Sequence, residues 1–441
     1  MPTDERVEVE FDQHSPDYRE TYPAKAHELR EQCPVAWSTK HDGFWVVTGH
    51  DALSALSKRP DLVSSDHDPT GERNGYQGIS IPERGTTRGG FIEMDPPEQS
   101  EYRRVLNPYL SPAAVVKWEP LIADFTRACI NDVIETGRLD FVDDFANIVP
   151  AVLTMAMLGL PLADWEIYCE PAHMQVYTPP DSPNFDHMME VTFRMVERLA
   201  EYVQIRKTDP RPGMITALLN AKVMREFLPD DGIIGTVSLL IGGGFDTTTS
   251  LLAGSLNWLD THPNERARLV DDADLLNSAT EEFLRHFTPA QGGGRTITQD
   301  CEMGGYEFAE GDRVFLSFAM CNHDPASFPN PDEIVLDRFP NPHAAFGLGV
   351  HRCIGSNLAR LGFKHMLREC LRRFPDYRVD QAGTVQYESI GVINGYKHLP
   401  ATFTPGRREG PPLAEVMEAW QAHLDAAPAP ENLRAEAEAG A

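Results

Sequence analysis

The stretch of sequence that decides the fold reads Phe346-Gly347-Leu348-Gly349-Val350-His351-Arg352-Cys353-Ile354-Gly355. It places one cysteine behind a glycine-broken loop and in front of a predicted helix over 356–373. The start of a helix favours a thiolate, because unpaired N–H groups and the helix dipole stabilise negative charge there. Gly347 and Gly349 permit positive φ, so backbone N–H groups can point at the sulfur. The stretch therefore predicts a thiolate held against a metal.

Two residues of the same stretch indicate that a large, flat ligand carries the metal. Gly355 leaves space where a side chain would strike such a ligand, and Phe346 can pack beneath it. The alternative is a buried, unreactive cysteine that follows a glycine-rich turn. The motifs described below weigh against this alternative.

Composition narrows the class of protein. The chain has 441 residues, 41% of them hydrophobic, which is enough for one large core or two. Its net charge of −28 argues against nucleic-acid binding, which needs clustered Lys and Arg. Seven scattered cysteines without a CxxC pair fit neither a disulfide framework nor a zinc site, and they favour a reducing, cytoplasmic location. Because residues 1–10 are polar and acidic, we expect no signal peptide and no membrane anchor.

The pattern along the chain predicts a mainly α-helical protein with a minor β portion. Residues 99–285 are mostly helical in pattern, with a proline-rich break at 177–186. A hairpin is predicted over 34–47 and further strands within 294–318. Residues 62–92 carry many Gly, Pro, Asp and Ser and are predicted to form a long loop.

The same pattern sets the predicted domain organisation. Residues 1–405 are expected to form a single domain. Residues 406–441 are rich in Ala, Pro and Glu and are expected to form an acidic C-terminal tail. A short helix over Leu413–Leu424 is predicted there, followed by a disordered end.

A second motif, Gly242-Gly243-Gly244-Phe245-Asp246-Thr247-Thr248-Thr249, lies inside a long apolar stretch over 233–259. A helix there would be about 40 Å long, at about 1.5 Å per residue. A transmembrane span is the rival interpretation, but Asp246 and three threonines near its middle argue against it. Each glycine inside a helix lowers the stability of that helix by up to about 1 kcal/mol. Three together therefore indicate a specific reason, either close approach of a ligand or a local bulge. Thr247 can hydrogen-bond a carbonyl one turn earlier; the alternative is a packed helix with a self-satisfied threonine.

A third motif, Glu282-Phe283-Leu284-Arg285, places two opposite charges three positions apart on one helix face. Such a pair occurs by chance on many solvated helices. It gains weight from its position about 70 residues before the cysteine and from Arg338 further along the chain.

Together these motifs resemble those of the cytochrome P450 family. The cysteine stretch is similar to its haem-binding loop, and Gly244–Thr247 is similar to the Gly-x-Asp/Glu-Thr pattern of its oxygen-binding helix. The resemblance runs to about residue 405 and is strongest for soluble bacterial, camphor-hydroxylase-like members. It implies the cytochrome P450 fold, with haem b (iron protoporphyrin IX) between the long central helix and the cysteine-bearing helix.

The resemblance also implies roles for single residues. Cys353 would be the iron ligand, Thr247 would hydrogen-bond the bound oxygen, and Asp246 would supply protons. Arg103, Arg295 and His351 match positions that contact the haem propionates. The full set expected to bind the cofactor is Gln99, Arg103, Gly243, Arg295, Phe346, Gly347, His351, Cys353 and Gly355, of which Gln99 stands where relatives often carry His. The residues expected to form a buried ion network that locks the haem-side loop are Glu282, Arg285 and Arg338.

The implied function is that of a haem-thiolate monooxygenase. Such an enzyme inserts one oxygen atom from O2 into a small hydrophobic molecule, here a terpenoid, steroid, fatty acid or aromatic compound. Two rivals stay open: a haem-thiolate peroxygenase, whose members usually replace the acid–alcohol pair with Arg-Pro, and a non-catalytic haem sensor or binding protein.

The implied electron donor is a ferredoxin with its NAD(P)H-dependent reductase, since too few residues follow Cys353 to build a flavin or nicotinamide domain. A basic cluster around and after the cysteine is the expected docking surface, with an ordinary solvated helix face as the alternative. We expect a monomer without nucleic-acid or membrane contacts. The basic cluster comprises Arg352, Arg360, Lys364, Arg368, Arg372 and Arg373.

Overall fold

A computed structural model of the chain describes residues 6–83, 88–178 and 182–435. Within these ranges it has fifteen α-helices, numbered in chain order: α1 (Tyr18–Gln32), α2 (His50–Ser57), α3 (Glu98–Leu110), α4 (Pro112–Val115), α5 (Glu119–Val133), α6 (Ile148–Leu158), α7 (Trp165–Tyr177), α8 (Phe185–Thr208), α9 (Met214–Leu219), α10 (Asp230–Thr261), α11 (Pro263–Asp271), α12 (Leu275–Phe287), α13 (Phe318–Asn322), α14 (Ser356–Arg373) and α15 (Leu413–Asp425).

The strands of the described ranges are short, and the predicted mainly α-helical fold with a minor β portion is confirmed. They are β1 (Glu8–Val9), β2 (Val35–Ser38), β3 (Phe44–Val47), β4 (Val63–Ser64), β5 (Arg138–Asp140), β6 (Lys222–Val223), β7 (Glu226–Phe227), β8 (Gly292–Ile297), β9 (Cys301–Met303), β10 (Tyr306–Phe308), β11 (Arg313–Ser317), β12 (Arg378–Val379), β13 (Val385–Gln386), β14 (Tyr396–His398) and β15 (Pro400–Thr402).

The chain forms two compact units, each assembled from separate stretches of sequence. The first unit comprises the described residues of 6–101, together with 281–354 and 388–394. The second unit comprises the described residues of 102–280, 355–387 and 395–435. The stretch up to 405, predicted as a single domain, thus contributes to both units.

A six-stranded sheet organises the first unit, in the order β1-β2-β3-β11-β8-β4. β2 and β3 form the predicted antiparallel hairpin, and β3 pairs in parallel with β11. Every residue of β3 and β11 is buried, which is why β3 and the three central residues of β11 read as apolar runs rather than as alternating patterns. β8 pairs antiparallel with β11 and places Arg295 opposite Val314.

The long helix α10 is the centre of the second unit and packs against α6, α7, α8 and α14. It contains the whole apolar stretch predicted as a helix and is α-helical throughout, without the bulge that the glycines allowed. At Gly244 an added Cβ would lie 2.7 Å from Thr154 Oγ1, so this glycine permits close packing of α6 against α10. In the described part of the chain, we find no helix with the length and hydrophobicity of a membrane span.

The C-terminal segment packs on the second unit instead of standing apart as a tail. The predicted short helix is present as α15, which lies against α5 with Val416 buried. Trp420 Nε1 donates to Asp124 Oδ2 at 3.0 Å, and Asn432 Nδ2 donates to the carbonyl of Lys207 at 2.8 Å. The expected disorder after the helix is therefore wrong up to residue 435, because side chains beyond the helix have partners; residues 436–441 lie outside the described residues.

Val416→Asp should lower the free energy of unfolding by about 1–3 kcal/mol, because docking of α15 would then bury a carboxylate without a partner. Urea titration followed by circular dichroism measures the change. Ala414→Asp, at an exposed position of the same helix, is the matched control and should change stability by less than about 0.5 kcal/mol. Equal free energies of unfolding for the two variants would show that the buried face of α15 does not stabilise the protein.

Candidate functional site

The cysteine loop of the first unit has the backbone that its glycines predict. Gly347 and Gly349 have φ of 65° and 70°. An added Cβ at Gly349 would lie 1.9 Å from the carbonyl oxygen of Ser57, so only glycine fits there. The loop turns back on itself, and the N–H of Cys353 donates to the carbonyl of Phe346 at 2.8 Å. The cysteine is thereby fixed directly before the start of α14.

Cys353 differs from the other six cysteines in its accessibility. It is exposed, whereas the others are buried or partly buried, and none of the seven forms a disulfide. The interpretation of Cys353 as a buried, inert residue is therefore wrong. An exposed sulfur on a hydrogen-bonded loop can be reached by a metal.

A buried ion cluster lies at the end of α12, where the sequence predicts one. Glu282 and Arg285 are each 0% exposed, and their side chains pair at 2.8 Å. Arg338 Nε lies 2.9 Å from Glu282 Oε2. The backbone N–H of Val335 and the side-chain amide of Asn341 also donate to Glu282, at 2.8 and 3.1 Å. The structure thus brings together the three residues of the predicted network.

The ion cluster is hydrogen-bonded to the cysteine loop through one asparagine. Arg285 Nη1 donates to the backbone carbonyl of Asn322 at 2.9 Å, and Asn322 Oδ1 accepts from the N–H of Ala344 at 2.7 Å. The carbonyl of Ala344 in turn accepts from the N–H of Gly347 at 2.8 Å. The cluster can therefore hold the loop that carries Cys353.

The two arginines keep the buried carboxylate charged. Burial alone would raise the pKa of Glu282, but the hydrogen bonds and charges of Arg285 and Arg338 bring it below its ordinary value. A lowered pKa in the folded state means that this carboxylate stabilises the fold above its unfolded-state pKa. That contribution is lost as the pH falls through the lowered value.

The predicted anion partners differ in their surroundings. Arg295 is half-buried on β8; burial lowers the pKa of its guanidinium to about 10, and the nearby charge of Asp95 opposes this effect only in part. A buried cation of this kind is stabilised by an added anion. Arg103 and His351 are both partly buried, on α3 and in the cysteine loop respectively.

Of the other predicted cofactor contacts, Gln99 has a clear structural role. Gln99 is buried, and its Nε2 donates to the carbonyl of Val350 at 2.8 Å, which ties the start of α3 to the cysteine loop. The ring of Phe346 lies 6.2 Å from that of His343. Gly355 directly precedes α14.

On α10 of the second unit, Asp246 and Thr247 have different environments. Thr247 Oγ1 donates to the carbonyl of Gly243 at 3.0 Å, one turn earlier, as predicted. Gly243 is exposed, and an added Cβ there would meet no atom within 4 Å, so this side of the helix is open. Asp246 is 0% exposed.

Asp246 is held by two residues that the sequence analysis missed. His173 Nδ1 lies 2.5 Å from Asp246 Oδ1, and the hydroxyl of Tyr387 donates to the same oxygen. Burial alone would lower the pKa of His173, but Asp246 raises it to about 10. Burial and the charge of Asp246 raise the pKa of Tyr387 well above its usual value. Both shifts favour a protonated imidazole and a neutral phenol beside Asp246.

The sequence carries one weak signal for this cluster. Cys169 and His173 are four positions apart, so they share a face of α7, and His173 Nε2 lies 3.1 Å from Cys169 Sγ. Nothing in the sequence predicts that this face of α7 contacts α10, because Asp246 follows His173 by about 70 residues.

Comparison with known proteins decides the family. The sequence model described as Cytochrome P450 matches residues 59–384. The chain belongs to the cytochrome P450 family. Steroid C26-monooxygenase of Mycolicibacterium smegmatis is 30% identical over 373 residues, which are 82% of this chain and 88% of that protein. Linalool 8-monooxygenase of Pseudomonas putida is 29% identical over 391 residues, which are 86% of this chain and 94% of that protein.

The fold of solved cytochromes P450 agrees with this membership. The structure of CYP109E1 from Bacillus megaterium in complex with testosterone matches with a TM-score of 0.77 at 27% identity, covering 88% of this chain and 100% of that one. The chain is thus a cytochrome P450 monooxygenase with the predicted fold, and the cofactor of this family is haem b. The residues present fit that group, since an exposed cysteine precedes a helix and a partly buried arginine lies in the same unit.

Glu282→Gln should lower the free energy of unfolding by about 3–5 kcal/mol, because it leaves the buried Arg285 and Arg338 without their counter-charge. Urea titration of the purified protein measures this loss. Glu302→Gln, which removes an exposed carboxylate on β9, is the control and should cost less than about 0.5 kcal/mol. A similarly small cost at Glu282 would contradict a stabilising role of the cluster.

Proposed function

We propose that Cys353 is the thiolate ligand of haem b in an enzyme that oxygenates a small hydrophobic molecule. The observation that carries the proposal is the exposure of Cys353, alone among the seven cysteines, on a loop fixed directly before a helix. Relatives named for a steroid and for linalool support a hydrophobic substrate, and the proposed classes are terpenoids, steroids, fatty acids and aromatic compounds.

Several residues are proposed to hold the cofactor. Arg103, Arg295 and His351 would meet its two propionates, and the lowered pKa of Arg295 supports this, because a neighbouring anion would offset the cost of burying that guanidinium. When bound, the haem supplies the activation of O2. Gln99 would act through the loop, whose Val350 carbonyl it holds. The residues proposed to leave room for the ring or to pack against it are Gly243, Phe346, Gly347 and Gly355.

Asp246 and Thr247 are proposed to supply protons to the reaction. The hydroxyl of Thr247 is partly exposed and is oriented by the Gly243 carbonyl, so it can hold a proton at Oγ1 on the open side of α10. Asp246 is the neighbouring buried carboxylate that can replace that proton. An intact acid–alcohol pair favours the monooxygenase over the peroxygenase and the sensor.

The electron donor is proposed to be a ferredoxin that is reduced by an NAD(P)H-dependent reductase. Arg360, Lys364 and Arg368 are four positions apart and share one face of α14. Arg372 and Arg373 of the predicted basic cluster are less suited to binding the ferredoxin. Glu409 of the C-terminal segment forms ion pairs with them, at 2.7 Å and 3.1 Å respectively. A monomer in the cytoplasm remains our proposal for the state and the location of the enzyme.

Cys353→Ser should abolish the red-shifted carbon-monoxide absorption band of the reduced protein, because a serine oxygen donates much less electron density to iron than a thiolate. The measurement is the difference between the spectra of the reduced protein with and without carbon monoxide, at equal haem content. Cys301→Ser, at a partly buried cysteine of the same unit, is the control and should keep the band. Retention of the band in Cys353→Ser would remove this residue as the ligand.

Arg368→Glu should slow haem reduction by a [2Fe–2S] ferredoxin, and raising the salt concentration should shrink the difference, since charge steers the encounter. Stopped-flow absorbance under carbon monoxide measures the rate. Arg194→Glu on α8 makes the same change in net charge at an exposed site and should leave the rate unchanged. Equal rates in both variants would dismiss this face of α14 as the docking surface.

A further inference from the structure

We propose that His173 and Tyr387 form a proton inlet that refills Asp246 from a solvent-open cavity in the second unit. This inference rests on the proposed role of Asp246 in proton supply. In this proposal His173 and Tyr387 act through Asp246, which receives each proton after it has passed through them.

The cavity has a volume of about 450 Å³, and its wall includes Cys169, His173 and Tyr387. The remaining lining combines charged side chains, such as Asp143 and Lys397, with aromatic ones, such as Trp165 and Tyr396, so water in the cavity has polar partners. The titratable groups that face His173 across or along the cavity include Asp143, Glu166, Glu170, Lys397 and His398. Water in this cavity is therefore the nearest source of protons for the cluster.

Exposure decreases from His173 to Asp246, and Tyr387 is buried beside both residues. The side chain of His173 is 12% exposed, whereas that of Asp246 is 0% exposed, so solvent reaches the imidazole but not the carboxylate. Tyr387 is buried but lies against the cavity, and its hydroxyl is 3.3 Å from His173 Nδ1. Asp246 Oδ2 is buried and has no hydrogen-bond partner among the described residues, so it is available to accept a proton.

The proton steps balance without any further reactant. His173 gives its Nδ1 proton to Asp246: an N–H bond breaks, an O–H bond forms, and the pair becomes a neutral imidazole and a neutral acid. The acid then gives that proton to the reaction on the Thr247 side of α10. Tyr387 passes its hydroxyl proton to His173 Nδ1 while a hydronium ion in the cavity gives a proton to the Tyr387 oxygen and leaves as water, so no phenolate accumulates and the starting state is restored. Each proton consumed is thus replaced by one from solvent.

The first experiment reads the state of His173 without turnover. Imidazole resonances of the reduced carbon-monoxide complex, which is diamagnetic, are followed by NMR as a function of pH. One resonance, assigned by its loss in His173→Gln, should stay protonated through about pH 8, whereas an ordinary histidine titrates near about 6.5. In Asp246→Asn the same resonance should titrate at or below the ordinary value. A normal titration in the unmodified protein would overturn the inlet.

The second experiment measures oxygen consumption with NADH, a [2Fe–2S] ferredoxin and its reductase. Tyr387→Phe keeps the ring but removes the relaying hydroxyl, and His173→Gln keeps a donor to Asp246 but removes the titrating nitrogen. Both should slow oxygen consumption about tenfold or more and raise the fraction of electrons recovered as peroxide. His187→Gln, an exposed histidine that pairs with Glu170 on the surface, is the matched control and should leave both quantities unchanged.

The outcomes separate the inlet from the proposed function. A missing thiolate band in the carbon-monoxide complex would overturn the proposed function and the inlet together. A normal band combined with unchanged oxygen consumption in Tyr387→Phe and His173→Gln would overturn the inlet alone. A normal band with slowed consumption in both variants, but not in His187→Gln, is the result we expect.

Discussion

The buried carboxylate of Glu282 is the point to which the cysteine loop of the first unit is anchored. Two arginines surround it, and one of them continues through Asn322 and Ala344 to the loop of Cys353. A carboxylate in such a place is costly unless every oxygen is paired, and here five donor groups, from two arginines, a backbone amide and an asparagine, converge on it. The position of the Cys353 loop therefore depends on a charge cluster that is linked to it through Asn322 and Ala344.

A second buried carboxylate, Asp246, has a contrasting environment. Both oxygens of Glu282 accept hydrogen bonds, whereas only one oxygen of Asp246 does so among the described residues. Its partners are a histidine and a phenol, which can release protons, while the partners of Glu282 are arginines, which cannot. A buried carboxylate thus helps to hold a loop in place in the first unit and, by our proposal, exchanges protons in the second.

Sequence reasoning worked best where the signal is local. Helix α14 was predicted over the residues it occupies, because glycines and a cysteine mark its start. The roles of the mid-helix glycines were harder to predict. Gly244 allows close packing against Thr154, and sequence periodicity does not predict a contact between two particular helices. His173 and Tyr387 were missed because they meet Asp246 from 73 and 141 positions away. The docking of α15 was missed because Ala, Pro and Glu dominate the composition around its few apolar residues.

The interleaving of the two units in the sequence has a consequence for biosynthesis. Residues 388–394 complete the first unit, and residues 395–435 complete the second. Domains that are continuous in sequence can fold one after another as they leave the ribosome. Here the first unit lacks its last segment until residue 394 has been made, and the second unit is still incomplete at that point, so neither unit can be completed early in synthesis.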